Sequence, residues 1–103
     1  MSETLGILVS TDKHFSHLLN IVRAAGQKGK NVLIFFTGPG VLLTQMSGFK
    51  DLKPLAEISL CRVSFESFGL DEKMQAAVLS ETSFADQARH RDMIDRCDRY
   101  LVL

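Results

Sequence analysis

The segment Asn31 to Thr37, Asn-Val-Leu-Ile-Phe-Phe-Thr, constrains the chain more than any other. Five apolar residues in a row, four of them β-branched or aromatic, do not alternate with polar ones. Such a strand must be covered on both faces, which is the situation of a parallel sheet sandwiched by helices. Leu5 to Ser10, Leu-Gly-Ile-Leu-Val-Ser, has the same character. Glu57 to Cys61 reads as a third strand, and Tyr100 to Leu103 as a last one.

Helical spacing fills the gaps. Phe15, Leu18, Leu19, Val22 and Ala25 form one apolar stripe, which Thr11 and Asp12 can cap and which Gly26 and Gly29 close. Gly38-Pro39-Gly40 is a tight turn, followed by a short helix over Val41 to Met46 and a polar, broken loop over Ser47 to Pro54. Val63 to Phe68 reads as a short helix stopped by Gly69. Ala76 to Leu79 fits a fourth strand or a helix end. Ser83 and Asp86 resemble a capping box, opening a helix that runs to about Cys97. Alternating strands and helices imply right-handed crossovers. The expected fold is a single domain over residues 1–103, a three-layer α/β/α sandwich with a mostly parallel sheet of four to five strands.

Charge and composition exclude several classes of function. Twelve basic and twelve acidic side chains give no net charge, against a nucleic-acid partner and without the repulsion that opposes self-association. Residues 1–53 hold six Lys/Arg and three Asp/Glu, and residues 54–103 hold six and nine, too mild a split for a polyanion site. No apolar run reaches the roughly 18 residues of a membrane helix, and the polar start Met1-Ser2-Glu3-Thr4 does not read as a signal peptide. Two cysteines make no disulfide framework, so the expectation is a cytoplasmic protein with reduced thiols. Three histidines and two cysteines without ligand spacing imply no metal.

Ligands of open parallel sheets bind at the carboxyl ends of the strands. That rule selects the Ser10–His14 loop, the Thr37–Gly40 turn and the segment from Cys61 onward. Cys61 ends a strand and opens a helical turn, where backbone N–H groups favour a thiolate, and Arg62 adds a positive charge beside it. His14 could donate a proton there, and Gly38 could offer its N–H to an anion. The alternative is that Cys61 is a small buried hydrophobe, as Cys97 is expected to be on the apolar face of the last helix.

Three stretches resemble the DsrE/DsrF/DsrH-like family of sulfur-relay and sulfur-oxidation proteins. They are Leu33-Ile-Phe-Phe-Thr-Gly-Pro-Gly-Val41, Ile58-Ser-Leu-Cys61 with Gly69-Leu70 eight positions on, and Cys97-Asp-Arg-Tyr-Leu-Val-Leu103. One departure is Phe68, where members often carry an arginine before the glycine. The resemblance implies that Cys61 accepts a sulfane sulfur as a persulfide and passes it to another sulfur-relay protein, with no cofactor. It also implies homo- or hetero-oligomers, trimers or hexamers. The family includes subunits without the cysteine, so the competing expectation is a non-catalytic interaction subunit with Cys61 incidental. A third is a small-ligand module built on Gly38-Pro39-Gly40.

Overall fold

Apolar strands without alternation need cover on both faces, and the chain provides it unequally. The computed structural model describes residues 3–70, 82–85 and 87–103. Strands β1 (Thr4–Val9), β2 (Asn31–Phe36), β3 (Glu57–Cys61), β4 (Thr82–Ala85) and β5 (Arg99–Val102) form one sheet in the order β4-β3-β2-β1-β5. All four ladders are parallel. The fold is therefore α/β, as the strand–helix alternation predicts.

The first face carries Ile7 and Val9 of β1, Val32, Ile34 and Phe36 of β2, and Ile58 and Leu60 of β3. Helix α1 (Phe15–Gln27) covers it with Leu18, Val22 and Ala25. The 3₁₀ turns Gly38–Gln45 and Ser47–Asp51 add Val41, Leu43 and Phe49, and the short helix α2 (Arg62–Ser67) adds Phe65. Each fully buried side chain of this size contributes roughly 1.5–3 kcal/mol, so this layer holds most of the stability. The second face is thinner. Leu33, Phe35 and Cys61 meet Met93 of helix α3 (Gln87–Arg96), with Leu8, Cys97 and Tyr100 packed around them.

Several local expectations are corrected. Helix α1 starts at Phe15 with His14 at its N-cap and no side-chain capping bond, so Thr11 and Asp12 stand too early to cap it. Its C-terminal end is closed as expected, with the N–H groups of Lys28, Gly29 and Lys30 on the carbonyls of Ala24 to Gly26. The supposedly polar loop 47–54 contains a 3₁₀ turn, and its Phe49 and Leu52 are core residues. Ser83 lies inside β4, so no capping box forms there; pairing of Thr82–Ala85 with Ile58–Cys61 overrides a local capping signal. Cys97 stands one residue beyond α3, its N–H on the Ile94 carbonyl. Ala76 to Leu79 lie outside the described residues. Among the described residues, no helix is long and apolar enough to cross a membrane.

Connectivity fixes where a ligand site can form. From β1 to β4 the chain steps across the sheet in one direction, with α1 and α2 packed on the first face. It then returns through α3, on the second face, to place β5 beside β1. The connections leaving β3 and β4 thus depart to opposite faces. This is the topological switch point, and Cys61 pairs with Ala85 across it.

Candidate functional site around Cys61

Cys61 is the last residue of β3 and the N-cap of α2, with extended backbone at φ −70° and ψ 114°. Strand alternation turns its side chain to the second face, where Thr37, just past the end of β2, is its lateral neighbour in the register. Helix α2 begins with Arg62, Val63 and Ser64, and the N–H groups of its first turn have no partner within the helix.

A small polar group surrounds the sulfur. Gly38 donates its N–H to Ser64 Oγ at 2.9 Å, and Thr37 Oγ1 stands 3.5 Å from the same oxygen. Gly38 has φ 52°, the left-handed region that an L side chain resists, and this geometry directs its N–H to α2. Because Ser64 Oγ accepts from Gly38, its own proton is free to point at the sulfur.

The electrostatic outcome follows from these contacts. Burial pushes the Cys61 thiol up, since a thiolate loses hydration. The hydroxyl and N–H of Ser64, the hydroxyl of Thr37 and the N–H of Val63 outweigh it, and the thiol lies below its ordinary value. The thiol makes no formal side-chain capping bond, so the first-turn N–H groups act as oriented dipoles. Cys97 has the opposite balance. Burial raises it, the Arg96 charge lowers it less, and Asp98 raises it further. Its Sγ is spent on the Met93 carbonyl at 2.8 Å.

The predicted site residues divide. Gly38 is brought to Cys61 through Ser64, but its N–H is spent on the Ser64 hydroxyl and is not open to an anion. Arg62 is exposed at the first position of α2 and is not among the groups that shift the thiol. The anion-favouring environment comes from uncharged donors: the backbone N–H groups expected at the helical turn take part, joined by two hydroxyls, and the added cation does not. His14 is exposed at the N-cap of α1 and does not act on Cys61 either. Its loop leaves β1, which β2 separates from β3, so it starts roughly 10 Å from the end of β3. Thr37 and Ser64 were missed. The spacing Cys61-x-x-Ser64 at a helix start was the available signal, since it places a hydroxyl at N3 facing the N-cap.

The two cysteines do not meet. Cys97 Sγ lies against Gly6, and Gly6 is level with Leu33 and Glu57 in the register. Cys61 is two strands across and four residues along, roughly 16 Å away by strand dimensions. A disulfide between them is geometrically excluded, since bridged Cα atoms lie within about 7 Å. Among the described residues, no three His, Cys, Asp or Glu side chains are grouped to hold a metal ion. What the arrangement can do is keep a thiolate near neutral pH and stabilise negative charge on sulfur. No protein-family model matches the chain, and no curated protein matches it either.

Proposed function

We propose that the chain is a sulfane-sulfur carrier of the DsrE/DsrF/DsrH-like kind, with Cys61 as the acceptor. The observation that carries this reading is the opposed pair of thiols. Cys61 sits at the switch point among the donors of Thr37, Ser64 and Val63 with its pKa lowered, while Cys97 has its pKa raised. The thiolate is the nucleophile in such transfers.

In the transfer, the Cys61 thiolate attacks the outer sulfur of a partner's persulfide. The bond between the partner's two sulfurs breaks, a new S–S bond forms on Cys61, and the partner leaves as a thiolate. Delivery is the same exchange in reverse roles, with the recipient's cysteine thiolate attacking the outer sulfur held by Cys61. The persulfide proton stays on the outer sulfur or is lost to water, so no oxidant or reductant is consumed. The outer sulfur stands about 2.05 Å beyond Sγ, within reach of the Ser64 and Thr37 hydroxyls that hold its charge.

The partner is a second protein presenting a persulfide or a thiol, in an oligomer of like or sister chains. Leu101 and Val102 support association, because they leave apolar surface on the strand at the end of the described sheet. Sedimentation at micromolar concentration should show an oligomer, or a monomer that assembles once its sister subunit is added.

Intact-mass measurement after exposure to a loaded persulfide donor tests the carrier role. One added sulfur, removable by a reductant, is expected on the wild type and on Cys97→Ser but not on Cys61→Ser. If the wild type takes up none, the chain is an interaction subunit and Cys61 is incidental.

A further inference from the structure

Cys61 keeps only 8% of its surface exposed, so a partner's sulfur cannot approach it without some part of its surroundings moving. One side of those surroundings is tied down. Thr37 and Gly38 are joined to Ser64 by their hydrogen-bonding group, Thr37 N–H is held by the Val9 carbonyl, and Phe65 anchors α2 in the main core. The other side is the second face, toward which Cys61 points and where α3 is the described cover.

Along its described side chains, from His90 to Arg96, helix α3 is lightly attached. Of its side chains from His90 to Arg96 only Met93 is buried, while Arg91, Asp92, Ile94, Asp95 and Arg96 are exposed. Helix α1 inserts three residues into the core by comparison. The other described attachments of α3 are small. The His90 ring stacks on Phe35 at 4.9 Å between centroids, His90 Nε2 meets the Tyr100 hydroxyl at 2.7 Å, and Arg96 reaches Glu57 at 3.4 Å in an exposed pair. Both ends are nonetheless fixed. Strand β4 precedes α3 on the sheet, and beyond it Asp98 exchanges hydrogen bonds with Thr4 before β5 pairs with β1. A helix weakly held along its described side chains and tethered at both ends can lift without the sheet unfolding.

We propose that α3 is a hinged cover over Cys61, latched by Met93 and by the His90 stack on Phe35, and that its lifting admits the sulfur donor and recipient. This rests on the carrier reading for its purpose, but not for its observation, because access to the thiol is measured without any sulfur transfer. The latch keeps a loaded persulfide from water and from stray thiols until a partner displaces α3. Phe35 lies between latch and site, packed in the same cluster as Cys61 and Met93 and stacked on His90.

Alkylation of the Cys97→Ser protein, in which Cys61 alone reports, tests the cover. Adding Met93→Ala should speed Cys61 alkylation at fixed pH by about tenfold or more, as befits a buried methionine truncated to alanine. Amide exchange should quicken over residues 90–96 while β1 and β2 stay protected. Faster alkylation without faster exchange in α3, or faster exchange with unchanged alkylation, would overturn the proposal. Should Met93→Ala unfold the sheet, the unmodified helix decides the matter. In sub-denaturing urea, Cys61 alkylation and exchange of the 90–96 amides should rise with the same slope, and unequal slopes would overturn it. Alkylation that behaves as expected in a protein that takes up no sulfur would leave the cover standing and the carrier reading lost.

Discussion

Gly38 donates its backbone N–H to Ser64 Oγ across 26 positions of sequence, tying the turn after β2 to the first turn of α2. This bond closes the carboxyl edge of the sheet beside Cys61 and sets the direction of the Ser64 proton. It couples the stability of the turn to the acidity of the thiol, since one hydroxyl serves both the Gly38 N–H and the Cys61 sulfur.

Ser64→Ala should therefore do two things at once. The Cys61 thiol loses a donor and its pKa rises toward its ordinary value of 9.0. Alkylation at neutral pH slows several-fold if the pKa rises by about one unit. The Gly38 N–H loses its acceptor, at a cost of about 1–3 kcal/mol to the extent that water cannot replace it. Absorbance of the thiolate against pH measures the first effect and denaturant unfolding the second. An unchanged thiolate titration would show that Ser64 does not act on the sulfur.

The lowered Cys61 pKa also has a sign in stability. A thiol with a depressed folded pKa binds fewer protons folded than unfolded, so its contribution is fully present above the unfolded value near 9 and is lost as pH falls toward the folded value. The stability of the wild type relative to Cys61→Ala should rise between neutral pH and pH 9. Paired unfolding curves at three pH values would reveal a flat difference if the thiol were not perturbed. For Cys97, raised by burial, the wild type should instead lose stability relative to Cys97→Ala as pH climbs above 9 toward the folded value.

Much of this fold is legible from residue pattern. The non-alternating apolar strands around Ile7 and Ile34 announce a parallel sheet, and the stripe through Leu18 and Val22 announces the helix over it. Cys61 is legible as a strand-end residue. The obscured parts depend on tertiary pairing. Thr82–Ala85 is a strand because β3 lies beside it, and its Ser83 imitates a helix cap when read locally. Phe49 and Leu52 hide in a polar stretch because isolated apolar residues carry no period. Thr37 stands 24 positions from Cys61, too far for a local reading to join them, and Arg62 is a neighbour of Cys61 in sequence that does not shift its thiol.

Gly6 provides a packing test away from the site. A Cβ at this position would run into Cys97 Sγ, and Tyr100 stands close behind at 3.4 Å. Gly6→Ala should destabilise by about 1–3 kcal/mol through overpacking. Combining it with Cys97→Ala removes the obstructing sulfur, and the double mutant should recover about 0.5–3 kcal/mol relative to additivity. Strict additivity in denaturant unfolding would mean that the two residues do not press on each other.

His90 gives the last prediction, and it concerns acid. Its ring lies between Phe35 and Tyr100, half-buried, and burial alone lowers its pKa below the ordinary 6.5. Folded His90 is thus a weaker base than unfolded His90, so in acid the unfolded chain binds the extra proton. The stabilisation is fully present above pH 6.5, and it declines as pH falls below that toward the folded value. His90→Phe retains an aromatic ring against Phe35 and removes the titration, at the loss of the Tyr100 hydrogen bond. The wild type should therefore be the more stable relative to this variant at pH 7.5 than at pH 5. Unfolding midpoints in urea at the two pH values measure the difference directly. If the gap between the two proteins is the same at both, burial does not shift His90, and the tie between α3 and the second face is indifferent to protons.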